Sequence, residues 1–355
     1  MTDNFPPLKN DTLLRAARGE VTDHVPVWIM RQAGRYLPEY RAKRAMEEFF
    51  VVVRTPELAT EVTLQPIERF PLDAAIIFSD ILVVPQAMGL ECQMIKGRGP
   101  VFPEPLKKPE DLDRLVVPDV RSDLKYVFDA LTLTRRTLNG RAPLIGFCGA
   151  PWTLMAYMIE GGGSKSFADS KTWLFRYPEA SHRLLGAVTD VLIEYVIAQV
   201  DAGAQFIQVF DSWAGLLSPA AFDEFAFPYL IRIAEALQEA RPHVPKTVFA
   251  KGAHYALEDL ADSAYDVIGL DWTMDPKEAR RRVDGKAALQ GNMDPCMLFA
   301  APETIRAEVK KMIEAFGMDG YIANLGHGML PEHDPEHARV FIEAVHEFSA
   351  EIVAG

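Results

Sequence analysis

Short apolar runs, each followed at once by polar residues or glycine, recur along the chain at 27–30, 74–78, 144–147, 206–210, 247–250, 267–270, 287–289 and 321–325. They do not alternate apolar with polar positions, which is the pattern of strands covered on both faces in a parallel sheet. Helical spacing fills the intervals, for example over 256–264, 276–283 and 302–316. Ser218-Pro219 and Asp294-Pro295 read as an N-cap followed by proline in the first helical turn. Eight strand–helix units predict a (β/α)8 barrel of the α/β class, because an open doubly wound sheet carries fewer strands and a glycine-rich first turn. The wide spacing of the early runs predicts loop insertions there. Proline and glycine are scattered and no low-complexity tract or fixed-period repeat interrupts the pattern, so one domain over 1–355 is expected.

Composition narrows the partners. Apolar residues make up 49% of the chain, enough for a large core. Fifty acidic against 37 basic residues give a net charge of −13, which disfavours nucleic acid and anionic membranes but leaves room for a small anion in a locally basic cleft. Cys92, Cys148 and Cys296 have no close ligand spacing, the pattern of free thiols in a reducing compartment. No apolar run approaches a membrane span, and the N-terminus resembles neither a signal nor a transit peptide, so a cytoplasmic protein is expected.

In a barrel of this kind, chemistry sits just after the strands, at one mouth. The segment after the first run holds Arg31, Arg35, Arg41, Lys43 and Arg44 against Glu39 alone, a reversal of the global charge. Guanidinium forks there suit carboxylate ligands, and the plain alternative is a solvated basic turn. Asp80 follows the second run, where it serves either as a carboxylate of the mouth or as a helix cap. Asp73, on the near side of the same run, reads as structural. His327 lies between two glycines after the last run and reads as a site residue, against the alternative of a surface loop. Tyr157 and Trp152 belong either to the lining of the site or to a core helix. His333 and His337 imitate an i, i+4 metal pair, but Pro335 lies between them and no third ligand is near. The stretch 161–166 fails the phosphate-loop pattern and reads as a flexible loop, a candidate lid hinge. Ser212 is not in a nucleophile elbow, and no dinucleotide fingerprint follows any run. What is left is proton-transfer and carboxylate-binding chemistry without a cofactor or metal.

Two segments, PVWIMRQAGRYLPE at 26–39 and GFCGAPWTLM at 146–155, closely resemble signatures of the uroporphyrinogen decarboxylase family. Agreement extends through FPLDAAIIFSDILVVP at 70–85, GLDW at 269–272, LQGN at 289–292 and NLGHG at 324–328, nearly the whole chain. The resemblance implies a distorted (β/α)8 barrel, a homodimer and cofactor-free conversion of uroporphyrinogen to coproporphyrinogen in heme synthesis. By motif it implies that Arg31, Gln32, Ala33, Gly34, Arg35 and Arg44 belong to the substrate-binding loop. Asp80 matches the acid that binds pyrrole NH groups, and Tyr157, Ser212 and His327 match further cleft residues. Arg31, Asp80 and Tyr157 would then carry the chemistry, with the proton donor left open between an arginine and water. A barrel methyltransferase with thiolate- and imidazole-held zinc is the competing enzyme reading, opposed by the scattered cysteines. A tetrapyrrole carrier with the same basic mouth is the non-enzyme reading.

Overall fold

Six runs that lack any residue required to face water form strands buried from end to end: β4 (Leu144–Gly149), β5 (Phe206–Asp211), β6 (Lys246–Ala250), β7 (Val267–Gly269), β8 (Ala288–Met293) and β9 (Tyr321–Leu325). With β1 (Ala75–Ile76) they make a curled parallel sheet in the order β1-β4-β5-β6-β7-β8-β9, in a computed structural model that describes residues 5–354. Burial on both faces explains why these strands read as continuous apolar runs. Proline opens helices Pro38–Met46, Pro56–Arg69, Pro151–Glu160, Pro178–Asp201, Pro276–Val283, Pro302–Phe316 and Pro335–Ala354. A fixed φ and a missing N–H cost nothing at that position, so proline marks where these helices begin.

The first run does not form a ladder strand. Val27 makes one parallel bridge to Ala323: Ala323 N–H donates to Pro26 C=O at 2.9 Å, and Trp28 N–H returns a long bond to Ala323 C=O at 3.4 Å. Side chains take over the remaining bonds. Asp73 Oδ2 accepts from Val27 N–H (2.9 Å), Gln32 Oε1 from Ile29 N–H (2.9 Å) and Asn324 Oδ1 from Met30 N–H (3.0 Å). Asp73 N–H donates to Val27 C=O at 2.9 Å, which joins this segment to the edge carrying β1. The sheet is thus closed into a distorted barrel by a seam, with segment 26–30 in the eighth position.

The expected insertion lies between β1 and β4 and contains an antiparallel hairpin, β2 (Gln93–Ile95) and β3 (Gly99–Val101). The stretch 161–166, read as a free loop, is tied to it at its start: Val101 bridges Gly162, and Phe102 N–H donates to Gly161 C=O at 3.0 Å. Ser218 caps its helix as expected, accepting from Ala221 N–H at 3.3 Å. Asp294-Pro295 instead opens a short 3-10 turn, Pro295–Phe299, with Asp294 accepting from Cys296 N–H. Strand β8 runs past the apolar stretch because Gln290 and Asn292 find buried partners: Gln290 accepts from Trp28 Nε1 (2.9 Å) and donates to Gln208 (3.0 Å) across the barrel.

Candidate active site

Arg31 occupies the turn that ends segment 26–30, with a left-handed φ of 64°. The loop around it is held by its own residues. Gln32, with 0% exposure, accepts from Ile29 N–H and donates to Ala74 C=O at 3.0 Å, so its side chain anchors the loop and does not enter the mouth. Gly34 passes so close that a Cβ would lie 2.8 Å from the Arg31 carbonyl oxygen, and Ala33 beside it is half-buried. Arg41 donates to the carbonyls of Arg35 and Tyr36 at 2.9 Å, and Lys43 pairs with Glu61 at 2.8 Å. Among the described residues, Arg31, Arg35 and Arg44 make no ion pair; Arg44 caps the Glu47 carbonyl and lies over the Phe49 ring. The basic segment therefore divides into two structural cations and three uncompensated ones.

Asp80 stands directly beyond β1. Its Oδ1 accepts from Leu82 N–H at 2.8 Å, a turn-capping bond, while Oδ2 has no partner within the chain among the described residues. Asp80 is therefore not the cap of the following helix, whose N-cap is Leu82, but it fixes the turn that leads into it with one oxygen and leaves the other free. Enclosure by protein pushes its pKa up to about 6, against the pull of the Leu82 amide and the Arg31 charge. Arg31 is open to the mouth yet surrounded by protein, and loss of water lowers its pKa, with Arg35 adding to the effect. Tyr157, on helix Pro151–Glu160, is within electrostatic reach of both, and burial raises its phenol pKa. Tyr40, missed in the sequence, joins them beside Arg44, Arg35 and Asp80.

Ser212 lies in the turn after β5. That turn is set by Asp211, whose Oδ1 accepts from Thr153 Oγ1 at 2.5 Å, while Thr153 Oγ1 accepts from Trp213 N–H at 3.2 Å. Full burial raises the Asp211 pKa to about 7. Trp213 packs on Phe167 and Tyr157, with ring centroids 4.6 and 6.2 Å away. His327 follows β9 and closes a chain of rings, Phe147–Phe210–Phe249–His327, with successive centroids 5.7, 6.5 and 6.3 Å apart. Burial and the charges of Arg31 and Lys251 lower its pKa to about 3, so it is a neutral imidazole. One mouth thus brings together Arg31, Arg35, Arg44, Asp80, Tyr157 and His327, with Ser212 on the adjoining turn. Asn292, placed after a strand by its sequence, instead lies inside β8 and donates to the carbonyls of Asp271 (3.0 Å) and Met274 (2.7 Å).

The residues offer no thiolate zinc centre. Cys92 and Cys148 are buried and Cys296 is exposed elsewhere; burial raises the Cys92 thiol to about 12 and raises Cys148 as well. His333 accepts from Leu330 N–H and His337 donates to Leu298 C=O, so both rings are engaged around the 3-10 turn. The one ligand-like cluster among the described residues is His24, Asp73 and His346. It lies beside the seam, on the near side of β1, away from Asp80.

The chain matches the family model described as uroporphyrinogen decarboxylase (URO-D) over residues 8–348. The chain belongs to the uroporphyrinogen decarboxylase family. It is 63% identical over 346 residues to the uroporphyrinogen decarboxylase of Salinibacter ruber, covering 98% of each chain. It is 60% identical to the protein of the same name from Danio rerio, over 99% of this chain and 96% of that one. For the Homo sapiens uroporphyrinogen decarboxylase, the identity is 58% over 97% of this chain and 96% of the other. Among solved structures, a methyltransferase from Methanosarcina mazei superposes with a TM-score of 0.79 at 24% identity, over 96% of this chain and 99% of that one. At that identity the likeness speaks for the fold alone, a barrel shared by enzymes of different chemistry.

Proposed function

We propose that this uroporphyrinogen decarboxylase family member removes the four acetate carboxyl groups of uroporphyrinogen, giving coproporphyrinogen and carbon dioxide in heme synthesis, without a cofactor or metal. The observation that carries this reading is Asp80: a carboxyl group enclosed by protein, with one oxygen fixed by Leu82 and the other unpartnered, within reach of the Arg31 charge. An acetate on an electron-rich pyrrole loses carbon dioxide only when a proton has first added to a ring carbon and made a cationic electron sink. The C–COO bond then breaks, its electron pair moves into the ring system, and the cation is discharged. A second proton completes the methyl group as the ring loses its added one.

Asp80 is the residue suited to that cation. Its unpartnered Oδ2 accepts pyrrole N–H groups, and as a carboxylate it places preorganised negative charge where positive charge develops. Arg31 and Arg35 hold the carboxylates through their bidentate guanidinium forks, with Arg44 further along the same loop. A lowered pKa makes Arg31 a better proton donor than a free guanidinium, or a better partner for a water that donates. Neutral His327, the Tyr157 hydroxyl and Ser212 supply uncharged hydrogen bonds that fix the ring without competing for its charge. Ala33 and Gly34 contribute loop backbone, and Gln32 contributes rigidity.

The whole chain, 1–355, is one catalytic domain in this reading, and it acts as a cytoplasmic homodimer. No helix among the described residues is long and apolar enough to cross a membrane. The test is anaerobic incubation of chelator-dialysed protein with uroporphyrinogen, followed by chromatography of the oxidised products and by sizing of the native assembly. Stepwise loss of four carboxyl groups is expected. Tight binding without carbon dioxide release would select the carrier reading, and activity restored only by zinc would select the methyltransferase-type centre.

A further inference from the structure

Lys251 follows β6, which is four positions from segment 26–30 in either direction around the barrel, so Lys251 stands on the wall opposite Arg31. Its backbone is fixed on both sides: N–H donates to Asp211 C=O at 3.1 Å, and C=O accepts from Gly215 N–H at 2.8 Å. The next amide, Gly252 N–H, donates to Asp271 Oδ2 at 2.6 Å. The Lys251 ammonium lies 5.3 Å from the centroid of Trp272, which is 39% exposed at the mouth. Neighbouring Asp271 makes no ion pair with it: its Oδ1 takes the Thr273 N–H (2.9 Å) and Oγ1 (2.5 Å) and lies 3.5 Å from His254 Nε2. Lys251 makes no ion pair among the described residues. The turns carrying Trp272 and His327 pack backbone to backbone, because a Cβ on Gly326 would overlap the Trp272 amide nitrogen. The backbones that carry Lys251, Trp272 and His327 are therefore fixed to one another across from the arginine loop, and the charges of Lys251 and Arg31 both bear on His327.

We propose that Lys251, backed by Trp272, is a second carboxylate subsite that holds a side chain of the macrocycle far from the reacting ring. The inference rests on the decarboxylase reading, which supplies a ring-shaped polyanion. A substrate that presents one acetate to Asp80 and Arg31 necessarily carries other carboxylates to the opposite wall. The choice of residue fits the demand. Four acetates must be presented in turn, so the far contact has to serve several orientations. A compact ammonium on a flexible stem does this better than a planar fork. Trp272 gives the stem and the ring edge an apolar, polarisable surface.

The test uses the full-length protein with Lys251→Met, which keeps the stem but removes the charge, and Lys251→Arg, which keeps the charge. KM and kcat for uroporphyrinogen are measured anaerobically at low and high salt. For Lys251→Met the expected result is a roughly tenfold rise in KM, mostly without loss of kcat, and a flatter dependence of KM on salt. Lys251→Arg should recover most of both. Wild-type KM and salt dependence in Lys251→Met would overturn the proposal. So would equal losses in both variants with lowered melting temperatures, which would assign Lys251 to packing. If the wild-type protein releases no carbon dioxide, the decarboxylase reading fails separately. Titration of wild type and Lys251→Met with uroporphyrin by fluorescence then decides the subsite by whether their affinities differ.

Discussion

Replacing Asp80 by Asn separates the two oxygens of that side chain by function. The amide oxygen still accepts from Leu82 N–H, and Asn is as good a cap as Asp, so the turn after β1 should survive. What disappears is the charge beside the Oδ2 position. Removing one preorganised electrostatic stabiliser costs about 2.7–4 kcal/mol of barrier, so kcat should fall by about a hundredfold to a thousandfold. Stability should move the other way. Enclosure raises this carboxyl group from an ordinary value near 4 to about 6, so the folded protein holds the proton more tightly than the unfolded chain. The cost of ionising Asp80 therefore grows as pH rises from about 4 to about 6 and is complete, at roughly 3 kcal/mol, above that. Asn is free of that cost, and Asp80→Asn should melt above the wild type at pH 8 and close to it at pH 4. The same titration shapes catalysis. Because the carboxylate is the working form, wild-type kcat/KM should drop about tenfold per pH unit below 6. The variant should lack that limb. The assays are anaerobic turnover with product chromatography across pH, and thermal melting at pH 4 and 8. A variant with near wild-type turnover and unchanged melting would reduce Asp80 to a cap and remove the centre of the proposed mechanism.

Arg31→Lys keeps the charge and loses the fork, so kcat/KM should fall roughly tenfold to a hundredfold, the value of one charge-assisted contact, with the melting temperature unchanged; kinetics near wild type would return Arg31 to a solvated turn. Gly328→Ala places a methyl group against the Arg31 Cδ, and the guanidinium must move aside. A large loss of turnover with little loss of stability is expected, and normal turnover would show that Arg31 needs no fixed rotamer. At the seam, Asp73→Ala should destabilise the fold by about 3–5 kcal/mol, since it strips a buried carboxylate from His24 (3.0 Å) and His346 (2.8 Å), measured by chemical denaturation. The wild-type contribution has a defined pH window. The Asp73 pKa is depressed, so its part is present above about 4 and lost as acid titrates it, whereas the His24 pKa is raised, so its part is present below about 6.5 and lost as pH rises. A denaturation midpoint that does not change between pH 6 and 8 in wild type, relative to His24→Phe, would count against the His24 part.

Much of this was legible because the barrel strands are hidden on both faces and leave uninterrupted apolar runs. Legibility failed where a strand is polar for internal reasons. Gln290 and Asn292 break the run at β8, yet their partners, Trp28, Gln208 and the Asp271 and Met274 carbonyls, come from sequence too distant for periodicity to reveal. The first run looked like its neighbours because nothing local shows that Asp73 and Asn324 would supply bonds a ladder normally makes. At the site, position after a strand located Asp80, Ser212 and His327. It did not separate Gln32 from Arg31 one residue away, since which of them enters the mouth is decided by the left-handed backbone of Arg31 itself. Tyr40 and the Phe147–Phe210–Phe249 floor carry no polar signal beyond that of core residues. The family motifs, not residue chemistry, pointed to Tyr157.

The seam has a consequence for how the chain tolerates change. In a strand joined by backbone ladders, the bonds are indifferent to side-chain identity, and most substitutions leave the connection intact. Segment 26–30 keeps a few backbone bonds to its neighbours but is otherwise joined through the side chains of Gln32, Asp73 and Asn324, and those bonds depend on the residue type in place. A single missense change at any of the three amounts to unstitching part of a strand. None of the three needs to touch substrate for the loss to be felt, since the segment they hold ends in Arg31. Variants at these positions should therefore present first as a shortage of folded enzyme, with any kinetic defect following from a displaced Arg31 loop and not from a lost substrate contact.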